Sequence, residues 1–91
     1  MGGRLVARLN GRHYQFDEQP EVTVGRDPAA DVLSVNPVVS RHHAVLRPEG
    51  AGWVLEDRGS RGGTFLDGER VTRVPIERLT TIRLGDPTTG D

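Results

Sequence analysis

Two tight-turn dipeptides between short strand-like segments constrain this chain more than any other feature. Asn10-Gly11 ends the alternating segment RLVARLN (4–10) and is followed by RHYQF, whereas Asp67-Gly68 separates TFL from ERVT. Asn-Gly and Asp-Gly readily adopt the positive backbone angles that two-residue hairpin loops require. The sequence therefore predicts β-hairpins over 4–16 and 64–72.

Other short apolar runs bounded by turn residues predict further strands. These runs are 21–25, 32–35, 42–48, 52–57 and 81–85. No segment shows the 3.6-residue apolar period of an amphipathic helix. Short strands at this close spacing predict an all-β protein, an antiparallel sandwich forming a single domain over 1–91.

Composition excludes several classes of function. The chain has no cysteine, so neither a disulfide framework nor a thiolate metal site is available. A net charge of −1 gives little support for nucleic-acid binding. No apolar run approaches the roughly 18 residues that a membrane-spanning helix needs, and the N-terminus lacks a secretory signal. We expect a cytoplasmic chain, or the cytosolic part of a membrane protein, without direct membrane insertion.

The stretch VVSRHHAVL (38–46) gathers most of the potentially reactive groups. Ser40 and a neighbouring histidine suggest a nucleophile and base, but His42 and His43 alternate on the predicted strand and so point to opposite faces. The G-x-S-x-G elbow that exposes a nucleophilic serine is absent. A metal site needs three or four converging ligands, which adjacent strand residues do not supply. The stretch predicts neither an enzyme nor a metal site.

Three loops present hydrogen-bond donors next to predicted strands. They lie at Arg26, at Ser40-Arg41 and at 60–63. Loops of a sandwich cluster at its ends, where guanidinium, hydroxyl and backbone N–H groups could together bind an anion. The alternative is that these arginines are solvated loop charges and that the glycines only turn the chain. Composition and spacing leave both interpretations open.

The same loops carry motifs that resemble a known family. V-G-R (24–26), S-R-H-H (40–43) and D-R-G-S-R-G-G-T-F-L-D-G-E-R-V (57–71) are similar to the G-R, S-x-x-H and D-x-x-S-x-N-G-T-x-x-N-G patterns of the forkhead-associated (FHA) domain. The resemblance runs from 22 to 85. It implies a β-sandwich of about ten to eleven short antiparallel strands that binds phosphothreonine peptides and needs no cofactor.

The resemblance also implies which residues contact a phosphopeptide. Arg26 resembles the arginine that contacts phosphate, and Ser40 resembles the serine whose hydroxyl binds it. The remaining expected contacts are Arg41, Ser60, Arg61 and Gly62. Val38 and Val39 lie in the loop that reads the residue three places after the phosphothreonine, so their apolar character predicts an aliphatic preference there.

Other matching positions are expected to support the loops. His43 resembles a bracing histidine that does not touch ligand, which leaves His42 facing solvent. Turn and packing positions are held by Gly25, Gly63, Thr64 and Gly68. The implied partner is a substrate of a Ser/Thr protein kinase, bound by a module of a larger, bacterial protein.

Two departures from the pattern qualify this expectation. Gly62 stands where the family usually carries an Asn that binds the peptide backbone, which leaves open a phosphate-independent interaction module with a decayed site. The chain also stops in turn residues after Gly85, so we expect a truncated final strand. An unpaired edge would then favour an edge-paired or domain-swapped dimer.

Overall fold

The computed structural model describes residues 4–17, 19–50, 52–76, 80–87 and 90–91, which form ten β-strands. The strands are β1 (Leu5–Leu9), β2 (Arg12–Phe16), β3 (Val22–Gly25), β4 (Val32–Leu33), β5 (Ala44–Glu49), β6 (Gly52–Asp57), β7 (Thr64–Leu66), β8 (Glu69–Val71), β9 (Arg73–Ile76) and β10 (Arg83–Leu84). No helix able to cross a membrane occurs in these ranges.

Both predicted hairpins are confirmed. Asn10 and Gly11 have φ angles of 51° and 79°, and Asp67 and Gly68 have φ angles of 52° and 83°. These positive angles are those of a two-residue hairpin loop whose twist matches that of the flanking strands. β1 pairs with β2, and β7 pairs with β8, in antiparallel register.

The strands form three sheets, with orders β1-β2, β10-β7-β8 and β4-β3-β5-β6-β9. The predicted β-sandwich is confirmed, but its antiparallel pairing is wrong at one place, because β3 and β4 are parallel. The 26–31 loop returns the chain to the start of β3 before β4 begins. Reciprocal bonds hold it there: Thr23 N–H donates to the Asp31 carboxylate at 2.9 Å, and Asp31 N–H donates to Thr23 Oγ1 at 3.0 Å.

One hydrophobic core joins the sheets. Val24, Leu46 and Leu55 of the five-stranded sheet share a buried cluster with Leu5 of β1 and Leu84 of β10. Apolar side chains of both layers therefore leave water together, which is the main favourable contribution to folding. With the inner faces occupied in this way, the loops at the strand ends are free to carry a binding site.

Several strands differ from the sequence prediction, and β4 and β10 are shorter than the predicted runs 32–35 and 81–85. β5 begins at Ala44, so His42 and His43 precede it in the loop. β9 (Arg73–Ile76) was not predicted, because Pro75 cannot donate a ladder hydrogen bond and argues against a central strand. β9 is the edge strand of its sheet, where a proline is tolerated.

Candidate anion-binding site

Three loops meet in a groove of about 460 Å³ at one end of the sandwich. They are the β3–β4, β4–β5 and β6–β7 loops, joined by the residue that follows β10. The groove is lined by Arg26, Pro37, Val38, Val39, Ser40, Arg41, Arg61, Gly62 and Gly85. Seven of the positions predicted from sequence are thus brought together, whereas Pro37 and Gly85 were not predicted.

Arg26 is oriented by the neighbouring β4–β5 loop. Its backbone N–H donates to the Ser40 carbonyl at 3.0 Å, and its side-chain Nε donates to the Val39 carbonyl at 2.6 Å. Within the described ranges, its terminal guanidinium nitrogens have no protein acceptor, so they can bind an anion as a fork. Gly25 makes this approach possible, because a Cβ there would lie 1.9 Å from the Arg41 carbonyl oxygen.

Ser40 connects two loops through its side-chain and backbone groups. Its Oγ accepts the backbone N–H of Arg61 at 3.0 Å, and its own N–H donates to Nδ1 of His43 at 3.1 Å. A hydroxyl that accepts one bond retains its proton for donation. Ser40 can therefore donate to an oxyanion in the groove while holding the β6–β7 loop.

His43 is fully buried beneath the groove, with 0% exposure. Since Nδ1 accepts the Ser40 N–H, Nε2 carries the ring proton and donates to the Gly63 carbonyl at 2.8 Å. Burial lowers the pKa of His43, although the Gly63 carbonyl and Asp57 act in the opposite direction. A neutral imidazole therefore ties the β4–β5 loop to the β6–β7 loop.

Asp57, at the end of β6, orders the β6–β7 loop. Its carboxylate accepts the Ser60 N–H at 3.0 Å, the Ser60 hydroxyl, and the Thr64 hydroxyl at 2.7 Å. Burial acts to raise the pKa of Asp57, but these hydrogen bonds outweigh it and leave the pKa below its usual value. From sequence, Asp57 was included in the motif at 57–71 but given no role, although Asp is one of the residues that order turns through their side chains.

Ser60, which the resemblance predicts to contact the ligand, is not part of the groove lining. It is 6% exposed, and besides donating to Asp57 its Oγ accepts the Gly63 N–H at 3.1 Å. The Ser60 hydroxyl is therefore used inside the loop. Its position in the sequence indicated the correct loop but not the direction of the side chain.

Val38 and Val39 differ from each other in whether the side chain is exposed or buried. Val38 is 41% exposed, whereas Val39 is 0% exposed and belongs to the core cluster. The side chain of Val39 cannot contact a peptide, and its carbonyl instead holds Arg26. The apolar surface of the groove consists of Val38 and the neighbouring Pro37.

Gly62 and Gly85 form a wall of bare backbone. A Cβ at Gly62 would lie 2.4 Å from the Gly85 carbonyl oxygen, and one at Gly85 would lie 2.3 Å from the Val38 carbonyl oxygen. Side chains cannot be added at such distances unless the backbone moves. The Asn expected from the resemblance therefore does not fit at position 62 without displacing the segment after β10.

The groove lining is strongly basic. Three arginines, Arg26, Arg41 and Arg61, line it, and none of its lining residues is acidic. Among the described residues, no three His, Cys, Asp or Glu side chains converge as metal ligands. The arrangement suits a multivalent oxyanion held by guanidinium and hydroxyl donors.

Comparisons with known proteins agree with this geometry. An ABC transporter ATP-binding/permease protein of Mycobacterium tuberculosis, Rv1747, is 37% identical over 83 residues, which cover 91% of this chain and 10% of Rv1747. The FHA domain-containing protein FhaB of M. tuberculosis is 39% identical over 80 residues, covering 85% of this chain and 50% of FhaB. The chain thus spans half or less of these relatives.

Solved structures show the same fold. The crystal structure of the M. tuberculosis Rv1747 FHA-1 domain matches with a TM-score of 0.92 at 34% identity, covering 99% of this chain and 92% of that one. A structure from a study of phosphothreonine-dependent FHA domain interactions matches with a TM-score of 0.75 at 28% identity, covering 90% and 84%. M. tuberculosis EmbR in complex with a low affinity phosphopeptide matches with a TM-score of 0.71 at 25% identity, covering 98% and 26%. The FHA domain family model matches residues 22–85, and the chain belongs to the FHA domain family.

Proposed function

We propose that this chain is a docking module that binds phosphothreonine peptides in Ser/Thr kinase signalling. FHA domains are interaction modules, not enzymes. The observation that carries the proposal is the convergence of Arg26, Ser40 and Arg41 on a groove whose lining holds no acidic residue. The structural relatives named for phosphothreonine-dependent interactions and for a phosphopeptide complex support the same ligand class.

The proposed phosphate contacts divide among the loops. The terminal nitrogens of Arg26 bind two phosphate oxygens, and the Ser40 hydroxyl donates to a third. Arg41 and Arg61 add charge from the two sides of the groove. Hydrogen bonds to ionised groups contribute about 1.5 to 3 kcal/mol each, so Arg26 has the largest share.

Gly62 reduces the expected affinity without removing the phosphate contacts. The missing Asn would supply a neutral hydrogen bond of about 0.5 to 1.5 kcal/mol, equivalent to a change in Kd of up to about tenfold. Arg61, the preceding residue, is exposed at the groove and can offset part of this loss with a charge-assisted contact. We therefore place Gly62 in the peptide site as backbone only.

Calorimetric titration with three matched peptides tests the proposal. The peptides carry phosphothreonine, phosphoserine or unmodified threonine at one position, and we expect binding of the first to be strongest. Arg26→Ala should abolish that binding, because it removes the fork beneath the phosphate. Arg12→Ala, an exposed substitution on β2 outside the groove lining, is the control for net charge. A loss of twofold or less with Arg26→Ala would refute the proposed function.

Peptide selectivity is proposed to rest on Val38 and Pro37. Their apolar surface favours an aliphatic side chain three residues after the phosphothreonine, since each buried CH₂ contributes about 0.8 kcal/mol. A phosphopeptide library randomised at that position should enrich Val, Ile or Leu. Enrichment of Asp instead would contradict this assignment.

The bare backbone at Gly62 favours one alternative, a phosphate-independent interaction module with a decayed site. In that case the three peptides would bind equally and Arg26→Ala would have no effect. A second part of the proposal concerns assembly, because β10, the short final strand, is an edge of its sheet on which a second copy could pair or swap. Sedimentation over a range of concentrations would detect such a dimer.

We further propose that the module works in the cytoplasm as part of a larger bacterial protein. The matched region makes up a tenth of Rv1747, an ABC transporter ATP-binding/permease protein, so a relative of this chain occurs within a much longer transporter protein. Reading the complete gene and fractionating cells for the full-length product would test both statements. A product secreted from the cell would contradict them.

A further inference from the structure

A second pocket lies beside the groove, on the other side of Arg41. It has a volume of about 310 Å³, and Arg41 lines both cavities, so the two are adjacent. We call it the side pocket. Val45, on the face of β5 turned away from the core cluster, lines it together with Ala29 and Ala30 of the β3–β4 loop. The proposed phosphothreonine site does not use this space.

The loop that forms one wall of the side pocket is held by its own hydrogen bonds. Thr23 and Asp31 bond reciprocally across its base. Asp27 Oδ1 accepts the Ala29 N–H at 2.8 Å, and the Asp27 carbonyl accepts the Ala30 N–H at 2.8 Å. The wall is therefore formed before any ligand arrives, which reduces the entropy lost on binding.

The side pocket is lined by two acidic residues and two arginines. Asp27 accepts the Ala29 N–H and lies 3.5 Å from His42 Nε2, and Glu21 is the second acidic lining residue. Arg41 and Arg58 also line the pocket, and both are exposed. Within the described part of the chain, neither guanidinium has a carboxylate partner. Arg58 is thus a cation of the side pocket alone, whereas Arg41 is shared with the groove.

We propose that the side pocket binds an anionic side chain, either a carboxylate or a second phosphate, of the same phosphopeptide. This inference rests on the proposed function. Val38, assigned to the residue three places after the phosphothreonine, lines the groove but not the side pocket. The part of the peptide that reaches Arg58 is therefore the part that precedes the phosphothreonine. We therefore test an anion placed three residues ahead of the phosphothreonine.

Four phosphothreonine peptides test the inference by titration. Three carry Ala, Glu or phosphoserine three residues before the phosphothreonine, and the fourth carries Glu three residues after it. With the natural chain, we expect upstream Glu to tighten binding about threefold and upstream phosphoserine about tenfold relative to Ala. The Glu and phosphoserine arms distinguish a carboxylate from a phosphate as the preferred anion. Downstream Glu should give no such increase.

Arg58→Gln is the informative variant, because Arg58 lines the side pocket but not the groove. It should leave the Kd of the Ala peptide unchanged while reducing the upstream increase to less than twofold. Arg12→Gln, with the same loss of charge on the exposed side of β2, should preserve the increase.

Each contrary outcome has a distinct meaning. An upstream increase that survives Arg58→Gln, or that Arg12→Gln removes equally, would overturn the side pocket while leaving the phosphothreonine site intact. An equal increase in affinity from downstream Glu would also overturn the side pocket, because it would indicate general charge attraction. If none of the peptides bound in a phosphate-dependent way, the proposed function would fail and this inference with it.

Discussion

The inner and outer sides of the same loops differ sharply in how their polar groups are paired. Beneath the groove, His43, Asp57 and Thr64 have hydrogen-bond partners. Among the described residues, the one buried side-chain nitrogen or oxygen atom without a partner is the Tyr14 hydroxyl of β2, outside these loops. On the rim, Arg41 and Arg61 are exposed and have no acidic neighbours in the groove. The inner side fixes the loop shape, and the outer side supplies charge for a ligand.

The largest expected effect comes from comparing two adjacent histidines. His43→Ala removes one hydrogen bond within the β4–β5 loop and one to the β6–β7 loop, and it leaves a cavity, so the free energy of unfolding should fall by about 3 kcal/mol. His42→Ala removes an exposed side chain and should change it by no more than about 0.5 kcal/mol. Urea unfolding of both variants measures the difference. Equal losses would show that the inner side does not support the loops as described.

A smaller effect on stability is expected at Gly62, where the backbone of the β6–β7 loop packs against the backbone of Gly85. Gly62→Ala places a Cβ 2.4 Å from the Gly85 carbonyl oxygen, which should cost about 1 to 3 kcal/mol and weaken phosphopeptide binding. Gly52→Ala is the matched control, because the Cβ there would lie 3.2 Å from the Ile76 carbonyl oxygen. Thermal unfolding and peptide titration check both. A Gly62→Ala variant as stable as Gly52→Ala would mean that the β6–β7 loop is free to move away.

The smallest expected effect is the pH dependence of stability. The folded-state pKa of His43 is lowered, so the unfolded chain takes up a proton first as pH falls below about 6.5. Stability should be constant near neutral pH and then decrease by at most about 1.4 kcal/mol per pH unit, until the folded-state pKa is reached. The lowered pKa of Asp57 adds a further decrease below about pH 4.

Urea unfolding at a series of pH values, repeated with His43→Gln, tests the assignment to His43. The decrease that begins near pH 6.5 should disappear in this variant. The decrease should remain in His42→Ala, because the His42 side chain that this variant loses is exposed. Persistence of the decrease in His43→Gln would assign it to another group.

Local rules explain the parts of the fold that could be predicted from sequence. Asn10-Gly11 and Asp67-Gly68 each determine a hairpin, because the turn requires positive φ angles that few residues adopt readily. The strand β9 could not be predicted, since a proline is acceptable only where the neighbouring strand is absent. That condition depends on the order of strands in the sheet.

The candidate site likewise has features that could be predicted from sequence and features that could not. Motif spacing predicted the loops that supply Arg26, Ser40 and Arg61, and the structure brings these residues to one groove. It did not predict that Ser60 and Val39 point inward, because neighbouring loop residues have no fixed alternation of faces. It also did not indicate Gly85, which reaches the groove from a distant strand.

The sequence by itself determined the short strands, their turns and the chemical groups available for binding, since these depend on backbone preferences over a few residues. Only the tertiary structure decided which of those groups face a ligand. His43 and His42 are adjacent in sequence, yet one is buried between two loops and the other is exposed beside Asp27. The physical reason is that burial and pairing depend on contacts between distant loops, which no local pattern of residues specifies.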